Sequence, residues 1–359
     1  MDFFSLMKKK VGVLNGTIRI KVKDAQPYEK TSSGWKKSSS AFPEIKHIIK
    51  LFKAHKNFTI LVDKKDPQFL KGQLSPNGQA QGARITILPD GEVLNKAFSL
   101  FSSHLTVHDQ STDDHWDVLY QNKGGTWSYG YTLDKVQHHK EAKYQKVWEF
   151  DKILPQLQKK VFSALQNKND FLAVAMYTLL TTRMRVGNEI YYRAHGHKGL
   201  TTLKKSDISI DGNTVTFNYI GKDGVPLLLT HQFPASYVQR LRELLAPLKK
   251  NDFVFTSPET RRPLPEQHFK AAFKQYCGKE FYPHIVRSHF ATTEVQQFLK
   301  NRKKASKEEV QQLYYKIAAE LGHKRFSKKE KTWKENYTVT VNSYVQPQLI
   351  ERVNGLLKR

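Results

Sequence analysis

The chain has 359 residues, more than one ordinary domain holds, and its 39% apolar and 12% aromatic content is enough to build cores, which excludes a disordered basic tail. Lysine and arginine outnumber aspartate and glutamate by 59 to 33, a formal charge of +26, so a polyanionic partner is expected. The single cysteine, Cys277, excludes an intrachain disulfide and a cysteine zinc site, the longest apolar run (Phe171 to Leu180) falls short of the roughly 20 residues that cross a bilayer, and the start at Met1-Asp2-Phe3-Phe4-Ser5 has no signal-peptide character.

The alternation in Thr17–Val22, with Val11–Leu14 before it, predicts strands. The Ser-rich stretch Thr31–Ser40 reads as a flexible linker or loop. Further strands are expected at Phe58–Val62, Arg84–Leu88 and Trp116–Tyr120, and the turn Gly124-Gly125 leads into an aromatic strand ending at Tyr131. Tyr129 and Tyr131 should share one strand face, while Trp116 and Trp127 read as core. From Lys140 the period changes, and Val147, Phe150, Leu154, Leu157, Val161 and Leu165 recur at helical spacing. An apolar helix, Asp170–Arg183, follows and is closed by the turn signal Gly187-Asn188. Short strands are expected over Leu200–Ile210, Thr214–Ile220 and Val225–Leu229, joined by hairpin turns at Asp211-Gly212-Asn213 and Gly221-Lys222-Asp223-Gly224. Helices are expected at Ala235–Leu248, Glu266–Cys277, His284–Leu299 and Ser306–Leu321. The segment Lys300–Lys334 holds 12 basic and four acidic residues, and its second half, without apolar period, reads as a mobile basic loop. The sum is an α+β protein: a small β-rich amino-terminal domain over residues 1–140 and a larger, mainly helical domain over 141–359.

No Gly-x-x-x-x-Gly-Lys-Ser/Thr loop is present, and the nearest acidic cluster, Asp113-Asp114-His115, reads as a solvated turn, so neither a nucleotide nor a metal cofactor is expected. The cations are better placed. Arg183 and Arg185 close an apolar helix, Lys222 stands at a hairpin tip, His284, Arg287 and His289 open another helix, His323 follows Gly322, and Tyr344 precedes Pro347. Guanidiniums neutralise phosphoryl oxygens, a lysine protonates a leaving oxygen and a tyrosine attacks, which is the inventory of metal-free phosphodiester transfer. Taken singly, each has a bland reading: Arg185 complementing a helix dipole, Lys222 a solvated turn residue, the histidines half-buried, Tyr344 a core aromatic. Their joint order favours the functional one.

Arg185-Val186-Gly187-Asn188-Glu189, Gly199-Leu200-Thr201-Thr202-Leu203, Gly221-Lys222 after Phe217, and Arg287 ahead of Ala291-Thr292 resemble, in order and spacing, type IB DNA topoisomerases of the poxvirus and bacterial kind. The likeness covers roughly residues 116–350; residues 1–80 do not align. It implies a clamp around duplex DNA, with Arg185 and Arg287 holding the phosphate, Lys222 as general acid, His323 on a non-bridging oxygen and Tyr344 as nucleophile. It further implies DNA contacts from Tyr129, Tyr131 and the basic insert (Lys324, Arg325, Lys328), no cofactor, no membrane, a monomer, and an intracellular, DNA-associated location. His323 and Tyr344 stand 21 positions apart, further than in the family, and the insert Lys324–Lys334 accounts for the excess. Tyr337 is therefore a rival nucleophile, although Ser343-Tyr344-Val345 with Pro347 matches the family pattern and Asn336-Tyr337-Thr338 does not. The alternatives are a tyrosine recombinase or integrase, which shares the His284-x-x-Arg287 box, and a non-catalytic DNA-binding protein.

Overall fold

The computed structural model describes residues 13–82, 84–108, 116–122 and 125–357. The acidic turn Asp113-Asp114-His115, the first residues through Gly12 and the turn residue Gly124 lie outside the described residues. The chain divides into two compact units, Met1–Glu141 and Ala142–Arg359.

In the first unit, β1 (Ile18–Ile20), β2 (Pro27–Thr31) and β3 (Gly34–Lys37) are followed by α1 (Pro43–Ala54), β4 (Gln73–Leu74) and β5 (Ala80–Gln81). The five strands form one antiparallel sheet in the order β3-β2-β1-β4-β5. The expected linker at Thr31–Ser40 is thus largely a hairpin, because Trp35 packs its ring 4.7 Å from that of Phe69 and anchors a segment whose serines suggest a loop. Helix α1 starts on Pro43 and buries Ile45, Ile48, Ile49 and Phe52 at helical spacing. The strand expected at Phe58–Val62 is a 3-10 turn, Phe58–Leu61, that seats Leu61 in the same core. Val13 and Leu14 carry no strand.

Strands β6 (Ile85–Ile87) and β7 (Val93–Phe98) pair with each other. The sheet of β8 (Ser103–Val107), β9 (Val118–Gln121) and β10 (Trp127–Gly130) completes the unit in the order β10-β9-β8. Trp127 is not core: it is 46% exposed and shares its face with exposed Tyr129. Tyr131 lies one residue past the end of β10, half-buried, with its ring edge on His139. Trp116, half-buried, stacks on His108.

Helix α2 (Leu133–Ala164) begins seven residues before the expected change of period and contains the boundary between the units. Its residues Val147, Phe150, Leu157 and Val161 pack into the second core with α3 (Phe171–Thr182), an almost wholly buried helix whose N-cap, Asp170, accepts from Leu172 N and Ala173 N. Arg183 ends α3 in the left-handed conformation (φ 58°), and Asn188 does not close that helix but caps α4 (Glu189–His195). Leu200–Ile210 is mostly two 3-10 turns, Leu200–Thr202 and Lys205–Asp207, before the antiparallel sheet of β11 (Ile208–Asp211), β12 (Thr214–Ile220) and β13 (Pro226–Gln232).

Then come α5 (Ala235–Leu245), α6 (Glu266–Cys277), α7 (His284–Leu299) and α8 (Lys307–Glu320). The expected basic loop is instead an antiparallel hairpin, β14 (Lys324–Ser327) with β15 (Thr332–Glu335). The cross-strand rings of Phe326 and Trp333, 5.4 Å apart, supply the apolar contact that so many lysines hide. The chain closes with α9 (Thr338–Tyr344) and α10 (Pro347–Leu357), which pack on α7 and α8 through Val295, Tyr314, Ile317, Tyr344, Leu349 and Val353.

Candidate active site

The site is assembled in the second unit. Beyond α3 the chain runs out through Arg185, and the Gly199–Thr202 turn lies against it: Leu200 N donates to Arg185 O and Thr201 N to Val186 O, both at 2.8 Å. A Cβ on Gly199 would stand 2.6 Å from Arg185 O and from the Gly187 Cα, so only glycine permits this approach. Two motifs that are separate in the sequence are one object. Gly199→Ala is expected to lower stability by about 1–3 kcal/mol through overpacking and to displace Arg185, read as a lower Tm together with lost activity; wild-type values for both would contradict it.

Lys222 occupies the turn between β12 and β13, closed by Gly221 N donating to Val225 O at 2.7 Å. Its side chain is exposed and reaches an open cleft that Arg185, Arg287, His323 and Lys324 also line. Arg287, on the first turn of α7, is only 3% exposed. Its Nη1 donates to Arg183 O at 2.6 Å and its Nη2 to Leu321 O at 2.8 Å and to His323 Nε2 at 3.0 Å, while the buried Nε has no partner among the described residues. The left-handed turn at Arg183 is what aims that carbonyl inward.

A guanidinium can only donate, so His323 Nε2 must accept, and the imidazole proton sits on Nδ1, donated to Thr340 Oγ1 at 2.8 Å. Burial, with Arg287 and Arg185 nearby, pushes His323 down to about 3, so the ring is neutral. Tyr344, the last residue of α9, is 6% exposed; its ring centroid lies 5.1 Å from the His323 ring, 5.1 Å from Arg287 Cζ and 5.6 Å from Lys143 Nζ. Burial pushes its phenol up, but Arg287, Arg185 and Lys143 outweigh burial and hold it below the usual tyrosine range. His284, 6.4 Å from the same ring, is held well below the usual imidazole range by burial and by Arg185, Arg287, Lys143 and Lys222.

Among the described residues, no carboxylate forms an ion pair with Lys143, Arg185, Lys222 or Arg287. Tyr337 is placed differently, at the N-terminus of α9 against Tyr314 and Tyr315, and among the described residues no cation stands over its ring. His289 pairs with Asp151 at 2.7 Å, away from this cluster. On the hairpin, Lys324 Nζ donates to Pro226 O at 3.2 Å, while Arg325 and Lys328 are exposed. Sequence reading gave no role to Lys143 or Thr340; only the fold brings them to Tyr344 and His323. Among the described residues, no group of three or more His, Cys, Asp or Glu side chains could hold a metal, and no helix is long and apolar enough to cross a membrane.

Guanidiniums and an ammonium around a cleft, with an acidified phenol packed against one of those guanidiniums, are the equipment for phosphodiester chemistry. The family described as eukaryotic DNA topoisomerase I, catalytic core, matches residues 134–349, well over half of the chain, and the chain belongs to that family. It is also similar to DNA topoisomerase 1B of Acanthamoeba polyphaga mimivirus, 28% identical over 110 residues, or 30% of this chain and 33% of that protein; the match thus spans about a third of the relative's length. Two solved structures of the XerH site-specific recombinase bound to difH substrate show a distant likeness. The pre-cleavage complex matches at 16% identity over 46% of each chain with a TM-score of 0.31. The post-cleavage complex on palindromic difH matches at 14% identity over 56% of this chain and 52% of that one, with a TM-score of 0.32.

Proposed function

We propose that this protein relaxes supercoiled duplex DNA as a type IB topoisomerase of the poxvirus and bacterial kind. The observation that carries the reading is the Tyr344 phenol held beside Arg287 and His323 and acidified by the surrounding cations. Tyr344 attacks a backbone phosphorus, a 3′-phosphotyrosyl bond forms and a 5′-hydroxyl leaves. The free strand rotates, and the 5′-hydroxyl then attacks the phosphotyrosine to restore the backbone. Arg185 and Arg287 neutralise the charge that grows on the phosphoryl oxygens. Lys222 protonates the leaving oxygen. In the arrangement described, His323 Nε2 accepts from Arg287, so a contact from His323 to a phosphate oxygen would replace that hydrogen bond.

Within this proposal, residues 1–140 form the β-rich arm of a clamp whose Tyr129 and Tyr131 touch DNA, and residues 141–359 form the catalytic domain. Lys324, Arg325 and Lys328 extend the phosphate contacts along the hairpin. One chain supplies all five groups, which supports a monomer, and its place in the cell is on DNA. The mimivirus relative, named DNA topoisomerase 1B, supports the type IB reading. The test is plasmid relaxation: supercoils of both signs are expected to relax in EDTA without ATP, because guanidiniums neutralise the phosphate and the covalent bond conserves its energy. A strict requirement for magnesium would overturn the mechanism.

A further inference from the structure

Three consecutive carbonyls around Tyr344 each receive a side-chain donor from another element. Lys143 Nζ donates to Ser343 O at 2.5 Å, Thr292 Oγ1 to Tyr344 O at 3.4 Å, and Tyr144 OH to Val345 O at 2.6 Å. The need for donors is plain from the backbone. Helix α9 ends at Tyr344, Val345 is extended (φ −91°, ψ 139°), and the carbonyls of a last helical turn have no partner within the helix. Pro347 has no N–H to offer them. Lys143 and Tyr144 are neighbours on α2, about two hundred positions away in sequence, and they bracket the tyrosine by one residue on either side.

We propose that Lys143 and Tyr144 are positioning residues: together they pin the backbone on both sides of Tyr344 and so fix where its hydroxyl stands, an inference that rests on reading Tyr344 as the nucleophile. The two do not contribute alike. Tyr144 is 7% exposed and its hydroxyl is spent on one carbonyl, so its part is geometric. Lys143 adds a charge, since its Nζ lies 5.6 Å from the Tyr344 ring and no carboxylate pairs with it among the described residues. An ammonium beside a phenol favours the phenolate, and a cation at a helix C-terminus suits the dipole.

The experiment is single-turnover cleavage of duplex DNA at saturating enzyme, followed across pH, with thermal unfolding alongside. Tyr144→Phe keeps the ring and deletes one hydroxyl; it is expected to slow cleavage about 10-fold through misplacement, with DNA affinity and pH profile unchanged. Lys143→Met is expected to slow cleavage at least as much and to move the rising limb of the pH profile, set by ionisation of the phenol, upward by roughly half a unit or more. Lys143→Arg should restore most of the rate and the original limb. A Lys143→Met variant that only weakens DNA binding, with a normal rate at saturation, would make Lys143 a phosphate contact and overturn the proposal. So would an unmoved pH limb, or an arginine that rescues nothing. If Tyr144→Phe does not fold, the Lys143 pair alone decides. Should Tyr344 not be the nucleophile, Tyr344→Phe would still form covalent complex, an outcome that none of the positioning variants can imitate.

Discussion

Tyr344→Phe is expected to bind duplex DNA and form no covalent complex, whereas Tyr337→Phe cleaves at close to the wild-type rate. The substitution removes one oxygen and leaves the ring that packs against His323 and Arg287, so the cluster keeps its shape while losing its nucleophile. Covalent transfer has no substitute for that oxygen, and the residual rate should be that of uncatalysed hydrolysis. Tyr337 has no such setting. Its neighbours are the rings of Tyr314 and Tyr315, and among the described residues no cation stands over its ring. Trapping protein on labelled duplex under denaturing conditions reads both variants at once, and a dead Tyr337→Phe beside an active Tyr344→Phe would reverse the assignment.

Lys222→Ala should reduce cleavage by roughly 10² or more while leaving duplex affinity nearly intact, because general-acid catalysis commonly contributes 10²–10⁴-fold. As one phosphate contact among many, its loss would flatten the salt dependence of binding by only about one unit. The turn geometry suits the role: an exposed ammonium at the tip of a tight hairpin can fold over the leaving oxygen of a strand lying in the cleft. Replacing the scissile 5′-oxygen with sulfur provides a leaving group that needs no proton. On that substrate Lys222→Ala should recover toward wild type and Arg185→Ala, which loses charge stabilisation, should stay slow. Equal rescue of both, or of neither, would remove Lys222 from the acid role.

The limits of sequence reading follow from particular residues. Helices α6 and α7 fall at the expected bounds because their apolar residues keep a 3.6 period, and β12 does so because its alternation is clean. Helix α4 was not legible, since it buries none of its seven residues and depends on the Asn188 cap. The β14–β15 hairpin was masked by its lysines, its register resting on two aromatics. At the site the residue types and their order were readable. Their mutual support was not: that Gly199 backs Arg185, that Thr340 fixes the His323 tautomer, and that α2 reaches Tyr344 are contacts between positions far apart in the chain.

Four like charges bear on His284, and among the described residues none of them forms an ion pair with a carboxylate, which has a consequence for how this protein can change. Arg287 and Lys143 offset part of the mutual repulsion by donating to Arg183 O, Leu321 O and Ser343 O, so positions 185 and 222, whose side chains carry no such bonds among the described residues, are where a neutral substitution would relieve repulsion while weakening the proposed chemistry. Selection for ruggedness and selection for turnover therefore pull in opposite directions at this cleft. Added robustness has to come from elsewhere, from the apolar cores and the outward faces of the helices, where no such conflict exists.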